Sequence, residues 1–569
     1  MTFEEKGKGA FVPARFCFAR CRFRFRLPFS TAMRLVRIFV SRSRLLGTLA
    51  GTVRRPGLLL AVALLGGVAT TGATGCAPPA GSQQQGAAPV AATSQQRTSR
   101  PNVLFIVVDD LGWKDLGTFG SDFYETPHVD RLARRGMTFT SAYAAGPVCS
   151  PTRAAIQTGR HPARLRITDW IPGRSDKPSQ PLLQVQDRDH LPLEETTLAE
   201  AFETAGYATA HMGKWHLGGA PDHRPTDQGY DLNVAGGETG MPPSYFWPYK
   251  RDDWHPEPLQ ELAESGQEGN YLTDRIGREA ASFVRDRAGG EEPFFLHLAF
   301  YSVHIPLEAE EAVKEKYRQK RAAMELSKEE IFGREQGTRV RKVQSHPTYA
   351  GMVETMDENV GRVLRALRES GAAENTLVVL TSDNGGLSTA EGPPTANTPL
   401  ATGKGWRYEG GVRVPLIVRW PGVTEPGSTS DTPVISTDFF PTLMDAAHLD
   451  PPTNGPVDGV SLAPVLRRPG ADLGREALYW HYPHYSNQGG TPGGVIRKGR
   501  WKFVEHFEPN RPNELYDLQA DLREQRNLAE ERPQKARALR RQFRTWRDSV
   551  GVQMPPGANP NYDEEASAP

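Results

Sequence analysis

Seven consecutive residues, Asn102 to Val108 (NVLFIVV), are apolar after the first, show no alternation, and run straight into Asp109-Asp110. A strand that offers no polar face must be covered on both sides, which places it inside a mostly parallel sheet. Similar runs recur at Pro293–Tyr301, leading into Ser302-Val303-His304, at Thr376–Leu380, leading into TSDNGG, and at Val414–Trp420. Helical signals lie between them. Thr126-Pro127 supplies an N-cap and a first-position proline. A stretch from about Tyr349 to Ser370 puts Val353, Met356, Val360, Val363, Leu364 and Leu367 on one face before Gly371 stops it. Strands alternating with helices predict an α/β fold, a large doubly wound, mostly parallel sheet. Ligands bind such sheets beyond the carboxyl ends of the strands, where Asp109, Asp110, His304, Asp383 and Asn384 all fall.

The pattern changes near residue 475 to short strands around Gly494–His506 and an amphipathic helix from about Arg532 to Val550. This predicts a main domain over 101–474, a smaller C-terminal α+β subdomain over 475–552, and a disordered end over 553–569. The 569 residues carry 68 basic and 67 acidic side chains, a formal net charge of +1. No global field draws such a chain to nucleic acid, so an anionic partner must be met locally.

Of the four cysteines, Cys17, Cys21 and Cys76 precede the main body and only Cys149 lies within it, so no disulfide framework follows. Gly57–Val68 is apolar, follows Arg54-Arg55 and is too short for a membrane span. It leads into Ala73-Thr74-Gly75-Cys76, which resembles the bacterial lipobox in which the cysteine is lipidated. Residues 1–76 are therefore expected to be an export segment with Cys76 as the lipidation site. A plain cleaved signal and an uncleaved anchor remain as alternatives. Met33 opens a more conventional signal than Met1, so translation from either start is open. Residues 77–100, rich in Gln, Ala, Ser and Pro, read as a flexible tether; 24 such residues span about 27 Å. The expected location is the periplasm or cell surface, with membrane contact only through the lipid.

Asp109, Asp110 and Asp383 with the Asn384 amide form a hard, oxygen-rich donor set that suits calcium, with magnesium also compatible. A single strand-end aspartate would ordinarily cap a turn; two sets at two strand ends argue for a metal. Cys149 sits between Pro147 and Pro151, four residues before Arg153. Taken alone, such a thiol is either a small buried hydrophobe or a nucleophile.

Cys149-Ser150-Pro151-Thr152-Arg153 matches the C-x-P-x-R signature, and the chain thereby resembles the formylglycine-dependent, arylsulfatase-like sulfatases of the alkaline phosphatase superfamily. The supporting motifs follow in order: Val108–Gly112 (VDDLG), Thr158–Pro162 (TGRHP), Gly213–Gly218 (GKWHLG), His304, Ser382–Gly386 (SDNGG) and Gly403–Pro415 (GKGWRYEGGVRVP). The resemblance covers about residues 101 to 550. It implies that a formylglycine-generating maturation enzyme oxidises Cys149 to Cα-formylglycine, whose hydrated aldehyde attacks a sulfate ester. It implies that Asp109, Asp110, Asp383, Asn384 and modified Cys149 hold Ca2+, and that Arg153 orients the diol. Lys214 and Lys404 would contact sulfate oxygens, His216 would accept a proton as the sulfated intermediate collapses, and His304 would serve the leaving oxygen. Taken singly, these lysines and histidines would be surface or structural residues.

Two other readings stay open: a phosphodiesterase or phosphonate monoester hydrolase of the same superfamily, and a non-catalytic lipoprotein that binds sulfated glycans. The second would be expected to lack the nucleophile or a metal ligand, and none is missing. For the substrate, a sulfated small molecule or glycan, Ser244–Pro256 (SYFWPYKRDDWHP) interleaves aromatics with bases. Trwo readings of it compete: an aromatic loop pinned to the core, or a surface where Trp247 stacks on sugar while Lys250 and Arg251 meet anions.

Overall fold

The computed structural model describes residues 100–251, 259, 262 and 264–567. The export segment, Cys76, nearly all of the tether, Trp254 and His255 lie outside the described residues.

The strands of the main body, in chain order, are β1 (Asn102–Val108), β2 (Met137–Tyr143), β3 (Ala208–Gly213), β4 (Leu232–Val234) and β5 (Phe294–Phe300). A hairpin of β6 (Phe332–Glu335) and β7 (Thr338–Arg341) precedes β8 (Thr376–Ser382), β9 (Arg413–Arg419), β10 (Ser428–Ser430) and β11 (Val434–Ile435). The large sheet runs β10-β2-β9-β8-β1-β5-β3-β4, with β11 pairing to β2. All its pairings are parallel except those of β9, which runs against both β2 and β8.

Every residue of β1, β5 and β8 is buried, as unalternating apolar runs require. Successive side chains divide between two cores. Leu104, Ile106 and Val108 join Leu296, Leu298, Val378 and Leu380 under the helices Leu272–Arg287 and Pro347–Glu369. Val103, Phe105 and Val107 join Phe295, Leu377 and Val379 beneath the helix Phe439–Ala446 on the other face. Each such side chain contributes about 1.5–3 kcal/mol by leaving water.

The Pro347–Glu369 helix starts two residues before the expected position because His346 caps it, its side chain accepting from Tyr349 N. Thr126 precedes the Pro127–Arg135 helix as expected but does not cap it with its side chain. The Asp357 carboxylate does so instead, accepting from the backbone N of His128 and Val129 at 3.1 and 2.7 Å. Thr126 Oγ1 accepts from Gly117 N.

The C-terminal strands β12 (Leu478–Tyr482), β13 (Gly493–Lys498), β14 (Trp501–His506) and β15 (Glu514–Asp517) form an antiparallel sheet. One face packs Ile496, Phe503 and Leu515 against Leu539 and Phe543 of the Pro533–Val550 helix. The other packs Trp480, Val495, Val504 and Tyr516 against Tyr143, Trp406 and Tyr408 of the main body.

The end expected to be disordered from 553 instead lies against the 177–183 loop. Ala558 bridges to Leu182, and Asn559 is buried with its amide donating to Lys177 O and Gln180 O, both at 2.9 Å. Two loop carbonyls thereby find partners that composition alone does not reveal. At the other end, Arg100 donates to Ala205 O at 2.7 Å and Tyr207 OH donates to Pro101 O at 3.1 Å. The body therefore begins at the amino edge of the sheet.

Gly213 closes β3 at φ +105°, and a Cβ there would lie 1.8 Å from Ala299 O of β5. Gly213→Ala is expected to destabilise the protein by about 3 kcal/mol, since strain and a backbone clash combine. Gly206→Ala, at φ +78° with open space around it, should cost only about 1 kcal/mol. Denaturant titration of the two variants checks the contrast.

Candidate active site

Four neighbouring strands, β8, β1, β5 and β3, end at one edge of the sheet, and the residue types the chemistry needs follow each of them. Asp383-Asn384 follow β8, Asp109-Asp110 follow β1, His304 follows β5, and Lys214 and His216 follow β3. β2 turns there into the Cys149–Thr158 helix, with Cys149 as its first residue and Arg153 one turn on. Because β9 is reversed, the segment before it reaches the same edge and delivers Lys404. All of these side chains are buried.

Buried carboxylates require partners, and three cations supply them. Lys214 Nζ donates to Asp109 Oδ2 at 2.7 Å. Lys404 Nζ lies 2.7 and 2.9 Å from the two oxygens of Asp110. Arg153 donates from Nε to Asp383 Oδ2 at 2.9 Å and from Nη1 to Lys214 O at 2.7 Å. The carboxylates are also tied to each other's backbone, Asp110 N donating to Asp383 Oδ1 at 3.2 Å. Asp110 reaches this position in the left-handed region, at φ 61°.

The titration behaviour follows from this lattice. Burial pushes Asp109 up to about 8 against the pull of Lys214, and Asp383 and Asp110 add to the rise. Burial also acts to raise Asp383, but Arg153, Lys214 and Lys404 outweigh it and hold that carboxyl far below the usual range. In Asp110 the same contest is won by Lys404 and His304, and the net shift is downward. Burial, with Lys214 beside it, keeps His216 well below an ordinary histidine, so its imidazole is neutral.

The hydrogen bonds assign roles to ring nitrogens. His216 Nε2 lies 2.7 Å from Ile171 O, so Nε2 carries the hydrogen and buried Nδ1, which has no partner, is the basic nitrogen. His304 Nδ1 lies 2.9 Å from Ile305 O, and its Nε2 accepts from Lys404 Nζ at 2.8 Å. His304 is thus held at both ring nitrogens, with Asp110 Oδ2 also 3.6 Å from its Nε2.

One ligand atom each from Asp109, Asp110, Cys149 and His304 lies within 4.8 Å of the others. Cys149 Sγ is 3.6 Å from Asp109 Oδ1. Asn384 Nδ2 donates to Asp110 Oδ1 at 2.8 Å, which leaves buried Oδ1 without a partner. An orphaned amide oxygen beside three carboxylates fits a hard divalent cation. Of the expected donors, Asp109, Asp110 and Cys149 fall in this group together with His304, Asn384 is tied to it through Asp110, and Asp383 is engaged by Arg153.

Cys149, His216, His304 and Lys404 line the floor of a cleft of about 850 Å³. Trp247, Lys250 and Arg251 do not line it. Tyr245 and Tyr249 are wholly buried, Phe246 and Trp247 pack on the core, and Tyr245 OH lies 2.7 and 2.9 Å from Tyr301 O and His304 O. Among the described residues of this loop, the four aromatics before Lys250 are packed on the core, and Tyr245 supports His304 from behind. Sequence reasoning missed Ser150, whose Oγ donates to His216 O at 3.0 Å and accepts from Ile171 N at 3.1 Å. Its place beside Cys149 in the signature was the available signal.

A nucleophile position on a helix start, buried carboxylates and an alkaline-phosphatase-like sheet define a hydrolase of charged esters. The chain belongs to the sulfatase family and is a sulfuric ester hydrolase. The Sulfatase family model matches residues 101–449, and that of the N-sulphoglucosamine sulphohydrolase C-terminal region matches 402–547. A sulfatase from Formosa agariphila is 32% identical over 526 residues, 80% of this chain and 91% of that protein. The N-acetylgalactosamine-6-sulfatase of Homo sapiens is 32% identical over 397 residues, 67% of this chain and 68% of that one. The crystal structure of Ps i-CgsB in complex with k-i-k-neocarrahexaose superposes with a TM-score of 0.64 at 29% identity, covering 80% and 94% of the two chains.

Removing one member of a buried ion pair costs about 3–5 kcal/mol. Lys404→Ala is therefore expected to melt well below the parent, because Asp110 loses its main cation. Lys250→Ala with Arg251→Ala, outside the cleft, should leave the Michaelis constants for an aryl sulfate and a sulfated oligosaccharide unchanged. A selective rise for the oligosaccharide would return that loop to substrate binding.

Proposed function

We propose that this hydrolase acts on sulfated saccharides through a Cα-formylglycine made from Cys149, at a calcium site. The observation that carries the reading is the Cys149 sulfur, placed 3.6 Å from Asp109 Oδ1 among oxygen donors. A thiol is a poor ligand for a hard cation, whereas an oxygen at the same position completes the set. Oxidation by a formylglycine-generating maturation enzyme would put an oxygen there. Asp109, Asp110, Asp383 and Asn384 would hold the cation, with His304 beside them. The cation, when bound, supplies positive charge that lowers the repulsion between an anionic ester and an oxygen nucleophile.

The chain's own residues supply the rest. Arg153, fixed by Asp383 and the Lys214 carbonyl, orients the group at position 149. Lys404 lines the cleft and Lys214 sits behind it on Asp109; both ammoniums would hold sulfate oxygens as point charges. His216, neutral and basic at Nδ1, takes a proton from the hydroxyl at position 149. His304 serves the leaving alcohol oxygen, while Lys404, which contacts its Nε2 at 2.8 Å, is kept charged by Asp110 against the effect of burial. The saccharide assignment draws on the relatives, one named for an N-acetylgalactosamine sulfate and one crystallised with a carrahexaose. We further propose export and surface anchoring by lipid on Cys76, supported by the Ala73–Cys76 motif.

In the exported protein, the tryptic peptide ending at Arg153 should carry an aldehyde in place of the thiol; unmodified cysteine in fully active enzyme would sink the mechanism. Cys149→Ala should fold and lose turnover by about a thousandfold or more. Chelation should abolish activity, with calcium restoring it better than zinc. Restoration by zinc alone would contradict the donor set.

A further inference from the structure

Beyond the reacting end, the cleft is walled by Trp170, Arg174, Asp189, Glu238 and Glu391, with Lys177 at its margin. Trp170 lies near the chemistry, its ring 6.4 Å from that of His216. Arg174 sits with its guanidinium 5.6 Å over the Trp170 ring. It is an immobilised group: it pairs with buried Asp169, reaches Tyr482 OH at 3.2 Å, and donates to Asn487 Oδ1 at 2.9 Å. Glu391 is braced on the same wall by Asn487 Nδ2 at 2.6 Å and Gln488 Nε2 at 3.1 Å. Across the cleft, Asp189 Oδ1 meets His190 Nδ1 at 2.7 Å, and the His190 ring stacks on His223 at 3.8 Å.

Three carboxylates line this outer half, Asp189, Glu238 and Glu391, against Arg174 and Lys177, and Arg174 is already neutralised by Asp169 buried behind it. Even with both His190 and His223 protonated, the outer cleft reaches only neutrality. A track that reads a sulfated polymer needs the opposite balance, a surplus of arginine and lysine. A rigid hydrocarbon fits no better, since it would strip water from three carboxylates without replacing their hydrogen bonds. Sugar hydroxyls donate to carboxylates and accept from arginine, and a sugar's C–H face covers an indole.

We infer that the outer cleft selects a saccharide whose only sulfate near the site is the one being removed, with Trp170 as its ring platform and Glu238 and Glu391 as acceptors for its hydroxyls. This rests on the sulfate ester hydrolase reading above and departs from a polyanionic substrate. An added sulfate on the adjoining sugar would enter a field of like charge, and that penalty weakens as salt screens it.

The test uses matured, calcium-loaded enzyme and measures kcat/KM on p-nitrophenyl sulfate and on matched disaccharide pairs. One of each pair carries a single sulfate on the terminal sugar, at each ring position in turn; the other carries a second sulfate on the adjoining sugar. For whichever position is cleaved, the singly sulfated member should be preferred about tenfold or more at low ionic strength, the effect of a single like charge nearby. The preference should shrink in high salt and in Glu238→Gln with Glu391→Gln. Equal or better turnover of the doubly sulfated member overturns the inference, as does a preference that neither salt nor the double variant moves. Turnover of the aryl sulfate with no disaccharide cleaved overturns the saccharide platform. Failure on every sulfate ester, the aryl sulfate included, overturns the formylglycine and calcium reading instead and takes this inference with it.

Discussion

The burial of three carboxylates at one sheet edge is the constraint to which the rest of the active site answers. Asp109, Asp110 and Asp383 are wholly enclosed, and an enclosed carboxylate persists only beside positive charge and hydrogen-bond donors. That requirement explains why Arg153 spends its guanidinium on Asp383, why Lys214 and Lys404 point inward, and why His304 is fixed at both nitrogens. It also explains the odd strand. Without the reversal of β9, the segment carrying Lys404 would leave the sheet at the wrong edge and Asp110 would lack its cation.

The C-terminal sheet is part of the same arrangement. Trp406 and Tyr408, just beyond Lys404, pack on its inner face. Glu409 follows, wholly buried, with Lys502 of β14 at 3.0 Å; Lys502 in turn meets Glu524 at 2.8 Å, and Glu524 accepts from Glu409 N. Burial works to raise Glu409, but Lys502 and Arg413 keep it ionised. The loop that carries Lys404 is thus held from behind by charge pairs contributed by the smaller sheet. The outer cleft draws on that sheet again, through Tyr482 and the Asn487-Gln488 turn.

The apolar runs of β1, β5 and β8 are legible because full two-sided burial leaves no room for polar alternation. The same property hides direction: Val414–Trp420 reads like its neighbours, and nothing in a uniformly apolar run says that β9 is antiparallel. The floor of the site was legible because its residues sit directly after strands, in short motifs. The cleft walls were not, since Trp170, Glu238, Glu391 and Asn487 come from separate loops that only folding brings together. The Ser244–Pro256 stretch is ambiguous for a related reason. Aromatics interleaved with bases serve equally to cover a core and to stack on sugars, and it takes the fold to assign Tyr245 and Tyr249 to the core.

The body starts at Arg100, clamped to Ala205 O and followed at once by β1, whose far end carries Asp109 and Asp110. Arg100 thus lies at the pole remote from Asp109 and Asp110, about 23 Å away along seven extended residues. Mechanically, a pull at Arg100 is directed along β1, which lies between two parallel partners, β5 and β8. Such a strand is loaded in shear, its ladder bonds sharing the strain rather than parting one at a time. The strand that leads into Asp109 and Asp110 is thus the one held on both sides along its length.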